Sequence, residues 1–149
     1  MTRSKRLRPV VRAVGHDERD CAARLAQAQR RALEAEQRRV ELAAWQENYA
    51  NGLAGRVAAG ISAAALRDYR AFLARLGEAL RAQGRVATQA RTEQAAAHEA
   101  WRLAAQRAKS IDQVVVRLQS EERAASERLD QAEADELARE RVRTRERHP

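Results

Sequence analysis

The sequence predicts an all-α protein: two long helices folded into an antiparallel coiled-coil hairpin, the second helix longer than the first. Three observations predict it. From Leu66 onward, apolar residues recur at alternating steps of three and four almost to the C-terminus, which is the period of a coiled-coil seam. Prolines occur only at Pro9 and Pro149, so none interrupts a helix between them. Half of the glycines fall between Asn48 and Gly60, where glycine and Asn-Gly end helices and make turns. The domain reading is one hairpin over residues 1–149: a helix over about 5–50, a turn over about 51–61 and a helix over about 62–147.

Composition fits this reading. Aromatic residues are 3% and charged residues 34%, and alanine dominates the apolar fraction. Alanine has the best helix propensity but buries little surface, so narrow contact seams are favoured over a thick core. The net charge is +8, and lysine occurs only at Lys5 and Lys109. Such an excess favours acidic partners, although an arginine bias beside abundant alanine is equally a mark of codon composition. No apolar run spans a membrane and no signal-peptide core follows the basic start, so a cytoplasmic protein is expected. Cys21 has no second cysteine to pair with and reads as a small seam hydrophobe.

The first segment carries Arg3, Lys5, Arg6 and Arg8 without an acid. Either Ser4 caps a helix here, or the helix begins at Pro9, which a first turn tolerates. The first seam is Leu7, Val11, Val14, Cys21, Leu25, Ala28, Ala32, Ala35, Leu42, Tyr49 and Leu53, interrupted by Glu18, Arg39 and Gln46. Ser62 offers an N-cap for the second helix. Its seam runs Leu66, Tyr69, Leu73, Leu76, Leu80, Gln83, Ala87, Ala90, Gln94, Ala97, Trp101, Ala104, Ala108, Ile111, Val115, Leu118, Glu122, Ala125, Leu129, Ala132, Glu136. At the rise of an α-helix this second element would be on the order of 120 Å long.

A turn just after Ala50 sets the pairing. Leu25 is then expected near Thr88, and Trp101 against Leu7, Val11 and Val14. The first helix runs out opposite about residue 109, leaving roughly 35–40 residues of the second without a partner in the chain. Their seam continues through Ile111, Val115, Leu118, Ala125, Leu129 and Ala132, which calls for cover by another chain. This overhang carries seven acids and two arginines from Glu121 to Glu136, then five arginines and two glutamates to Pro149.

Four of the five aromatic residues, Trp45, Tyr49, Tyr69 and Phe72, flank the expected turn. Phe72, Leu76, Ala79 and Gln83 make one stripe, and Arg38, Leu42, Trp45 and Tyr49 another. Two stripes on one side of a two-helix unit leave a part-exposed aromatic–aliphatic patch suited to protein binding. The alternative is that the rings plug the tip. His16, His98 and His148 show no metal-ligand spacing, and Gly52-Leu-Ala-Gly55 lacks the lysine of a phosphate loop. No enzyme, catalytic residue, cofactor, metal or small-molecule substrate is expected. Arginines interleaved with acids, and aromatics far from the basic ends, also argue against nucleic acid.

Five stretches resemble the flagellar export protein FliJ family. They are Ala22-Ala23-Arg24-Leu25; Trp45-Gln46-Glu47-Asn48-Tyr49; Asp68-Tyr69-Arg70-Ala71-Phe72-Leu73 with Leu76 and Ala79; Ala100-Trp101-Arg102; and Arg128-Leu129-Asp130-Gln131 with Asp135-Glu136-Leu137-Ala138. The resemblance implies an antiparallel coiled coil similar in shape to the central stalk of rotary ATP synthases. It implies docking in the hexameric flagellar export ATPase, contact with the cytoplasmic domain of the export-gate membrane protein, and handling of export chaperones. The gate contact carries over to Leu42, Tyr49, Phe72, Leu76 and Ala79, with Trp45 and Gln83 departing from the family pattern. The ATPase ring would cover Ile111, Val115, Leu118, Leu129, Asp130, Gln131, Asp135 and Glu136. The implied place is the cytoplasm, peripheral to the inner-membrane export apparatus at the flagellar base. Alternative readings are the equivalent stalk of a virulence type III secretion system and a basic coiled-coil nucleic-acid-binding protein.

Overall fold

A computed structural model describes residues 1–148; only Pro149, the last residue of the expected hairpin, lies outside the described residues. Among the described residues three helices occur in order: α1 (Arg3–Arg6), α2 (Arg8–Ala59) and α3 (Ala63–Arg147). There is no strand among the described residues. The two long helices pack against each other as an antiparallel hairpin, with the second longer. Packing divides the chain into two units, Arg19–Leu103 and Met1–Glu18 with the stretch from Ala104 onward.

In the first of these units α2 does not stop near Ala50. It continues through Asn51, Gly52 and Gly55 to Ala59, and the turn is confined to residues 60–62. Among the described residues Gly60 alone takes positive φ, at 95°, where a Cβ would be strained. The expected turn over 51–61 is corrected to this tight one. Helical glycine costs up to about 1 kcal/mol relative to alanine, but Gly52 lies against α3. A Cβ added there would come within 2.9 Å of the Tyr69 hydroxyl. Packing overrides the Asn-Gly signal. Ser62 then caps α3, its hydroxyl accepting from the Ala65 amide at 3.1 Å.

The longer α2 changes the register. Ala32, Ala35, Ala87 and Ala90 form the buried cluster, the Gln83 side-chain amide donates to the Ala35 carbonyl at 3.0 Å, and Tyr49 meets Phe72. Carried along both helices, this register puts Trp101 level with Cys21 and Leu25 level with Ala97. The expected pairings of Trp101 with Leu7, Val11 and Val14, and of Leu25 with Thr88, are corrected accordingly. The expected seam positions are confirmed. In this unit all of them except Tyr49 are buried or half-buried, as are the interrupting Arg39, Gln46, Gln83 and Gln94. The most buried side chains are mostly single methyl groups.

In the other unit Ser4 is not the cap, and α2 begins at Arg8, one residue before the alternative start at Pro9. Thr2 caps α1, its hydroxyl accepting from the Lys5 amide. The chain turns at Leu7, and Pro9 sits in the first turn of α2. Ser4 is buried and meets Glu122 of α3. Cover on α3 therefore runs to Glu122, not to about residue 109. Ala104 and Ala108 are buried, and Ile111, Val115, Leu118 and Glu122 are half-buried. From Arg123 to Arg147 every residue is exposed, so the uncovered stretch is shorter than the expected 35–40 residues.

Candidate partner-binding surfaces

The first surface lies in the unit Arg19–Leu103, where α2 and α3 bring their aromatic residues together. Trp45, Tyr49 and Phe72 are 56%, 44% and 40% exposed. Tyr49 is the hub. Its ring meets Phe72 edge-on at 4.9 Å between centroids and Tyr69 at 6.3 Å. Such pairs add about 0.5–1.5 kcal/mol beyond burial. Tyr69 is half-buried, with the Arg56 guanidinium 5.6 Å from its ring centroid. The rings thus steady one another while Trp45, Tyr49 and Phe72 keep open faces.

Of the other residues expected here, Leu42 is half-buried, Leu76 is buried and Ala79 is exposed. Gln83 is half-buried and spends its amide on the Ala35 carbonyl. It therefore serves the hairpin first. Exposed apolar area held by packed aromatic rings is the usual chemistry of a protein-binding hot spot.

The second surface lies in the other unit. Leu129 is 67% exposed, and Asp130, Gln131, Asp135 and Glu136 are all exposed. Their contacts among the described residues run along their own helix: Gln131 donates to Asp135 at 3.0 Å, and Arg139 lies 3.8 Å from Glu136. Ile111, Val115 and Leu118, expected to be open, are half-buried instead. Val115 shares a groove with Ser4, Lys5, Arg8, Val11 and Arg12.

Glu122 marks the boundary between covered and open helix. Its carboxylate accepts from the Ser4 hydroxyl at 2.7 Å and the Ser4 amide at 3.0 Å. These bonds use an amide at a helix start that has no intrahelical partner. The Ser4 hydroxyl, and then its amide, hold the Glu122 carboxyl below the usual carboxylate range, with the Arg3 amide and the Lys5 charge adding to them against partial desolvation. Sequence reading missed this contact, because it needs the register. An acid on a seam position was the available signal.

The described residues hold no group of three or more His, Cys, Asp or Glu able to bind a metal. Cys21 is a half-buried free thiol. No helix among the described residues is long and apolar enough to cross a membrane.

Comparison with known families finds that residues 3–147 match the model of the family described as "Flagellar FliJ protein". No curated protein shows a significant match. No solved structure does so either.

Proposed function

The chain belongs to the flagellar FliJ family, and from that premise we propose that it is the stalk between the export ATPase ring and the export gate. Membership makes it a non-enzymatic, stalk-type protein of flagellar export. In the finer reading, residues 1–149 act as one coiled-coil hairpin, peripheral to the inner membrane at the flagellar base. The open stretch of α3 docks in the hexameric export ATPase through Leu129, Asp130, Gln131, Asp135 and Glu136. The aromatic surface, with Leu42, Trp45, Tyr49, Phe72, Leu76 and Ala79, engages the cytoplasmic domain of the export-gate membrane protein. Export chaperones are a third class of partner.

One observation carries the docking reading. The α3 seam is covered as far as Glu122 and open from Ala125 onward, although Leu129 and Ala132 keep it apolar. An apolar stripe left open on a charged helix calls for a partner. Ile111, Val115 and Leu118 join the contact only if the N-terminal segment moves aside.

Co-purification with the flagellar export ATPase tests the reading. Leu129→Glu should abolish retention while leaving the helical circular dichroism of the hairpin unchanged. Retention at the wild-type level would remove the docking assignment.

A further inference from the structure

About half a turn around α3 from Phe72 lies a groove that the stalk reading does not use. Arg39 of α2 and Arg81, Arg85 and Arg91 of α3 line it, with Gly84 and Thr88 between them. One acid, Glu36, meets two of these four cations. Glu36 accepts from Arg39 at 2.6 and 3.0 Å and lies 3.9 Å from Arg91. Arg81 and Arg85 have no ion pair among the described residues. Thr88 accepts from Arg91 at 3.2 Å and so orients it. Gly84 leaves open space where a Cβ would stand.

Near these cations α2 also exposes apolar side chains. Leu33 and Val40, 60% and 53% exposed, stand one turn to either side of Glu36 on α2. Along α3 the cations from Arg81 to Arg91 spread over about 15 Å. One carboxylate or phosphate cannot reach across that distance. A helix with a row of acids beside an apolar seam can, because guanidinium forks pair well with carboxylates.

This chain carries such a helix. Glu121–Glu136 holds seven acids and two arginines; apart from the half-buried Glu122 it is exposed. Glu127, Asp130 and Glu133 lie on one side of the open seam of Ala125, Leu129 and Ala132, within about a third of the helix circumference, and extend over about 9 Å. We propose that, in the free protein, the arginine groove of one molecule receives the acidic stretch Glu121–Glu136 of a second copy. The contact uses the stretch assigned above to the ATPase ring, so ring docking and self-association exclude each other.

Sedimentation velocity of the full chain, without ATPase, tests this contact, and its failure leaves the ring assignment untouched. Association that grows with protein concentration is expected in about 50 mM salt and should be lost in about 500 mM. Arg81→Glu with Arg85→Glu should weaken it about tenfold or more, as should Asp130→Arg with Glu133→Arg. Mixing the two charge-reversed proteins should restore association between them. A monomer at all concentrations up to about 100 μM in low salt overturns the proposal. Self-association that the reversals leave unchanged does so too. So does loss of binding to a short DNA duplex with self-association intact, which would make the groove a phosphate site.

Discussion

Glu122 occupies a seam position on which an acid should weaken packing, yet it closes the covered part of α3. The reason is the partner it finds. A helix start offers amides without intrahelical acceptors, and Ser4 presents both an amide and a hydroxyl to one carboxylate. The pH dependence follows from the sign of the shift. The folded-state pKa lies below the usual 4.5, so the contribution is complete above the unfolded value and fades as pH falls through the lowered one. Hydrogen exchange at residues 3–7 should therefore rise, relative to the intrinsic rate, as pH falls below about 4.5, while exchange around Ala87 and Ala90 holds. Glu122→Gln should remove most of that local pH dependence. Uniform loosening of both regions would show that the contact has no local role. Glu36 and Glu99 have lowered pKa values as well, but their main partners are Arg39 and Arg102 on their own helices.

At the scale of elements, the periodicity of the sequence identified both helices and nearly every seam position, because burial of one helix face leaves a repeating apolar mark. The end of α2 was not legible. Asn51-Gly52 is a turn signal by local chemistry, and only the approach of Tyr69 makes glycine at 52 a packing residue. One misplaced turn shifted the register, and with it the partners of Trp101 and the start of the open stretch. The glycines separate these roles. Gly55→Ala lies in a helix with nothing within 4 Å of the new Cβ and should stabilise the hairpin by about 0.5–1 kcal/mol. Gly60→Ala, at φ 95°, should destabilise it by about 1 kcal/mol. Urea unfolding followed by circular dichroism reads both. A loss at Gly55 would mean that α2 is not helical there.

At the scale of the molecule, the two surfaces predict separable defects. Phe72→Ala should weaken binding to the cytoplasmic domain of the export gate about tenfold while sparing the ATPase, and Leu129→Glu should do the reverse. Each should reduce motility on soft agar. Melting of the hairpin by Phe72→Ala would instead make the ring a core residue. The aromatic surface was legible in the sequence because its residues are few and clustered. The arginine groove was not, because Arg39 joins Arg81, Arg85 and Arg91 only through the register. The alanine interior has a mechanical corollary. Single methyl groups are shallow teeth, and the described residues include no large side chain that is fully enclosed. Two such surfaces resist separation better than they resist axial sliding. Register then depends on the tight turn, on the Tyr49–Phe72 contact and on a few polar pins. Within Arg19–Leu103 these are Gln83 on the Ala35 carbonyl and Arg91 on Glu36; in the other unit the pin is Ser4 on Glu122. Together with the tight turn at residues 60–62, these contacts select one register from the several that a seam of methyl groups alone would tolerate.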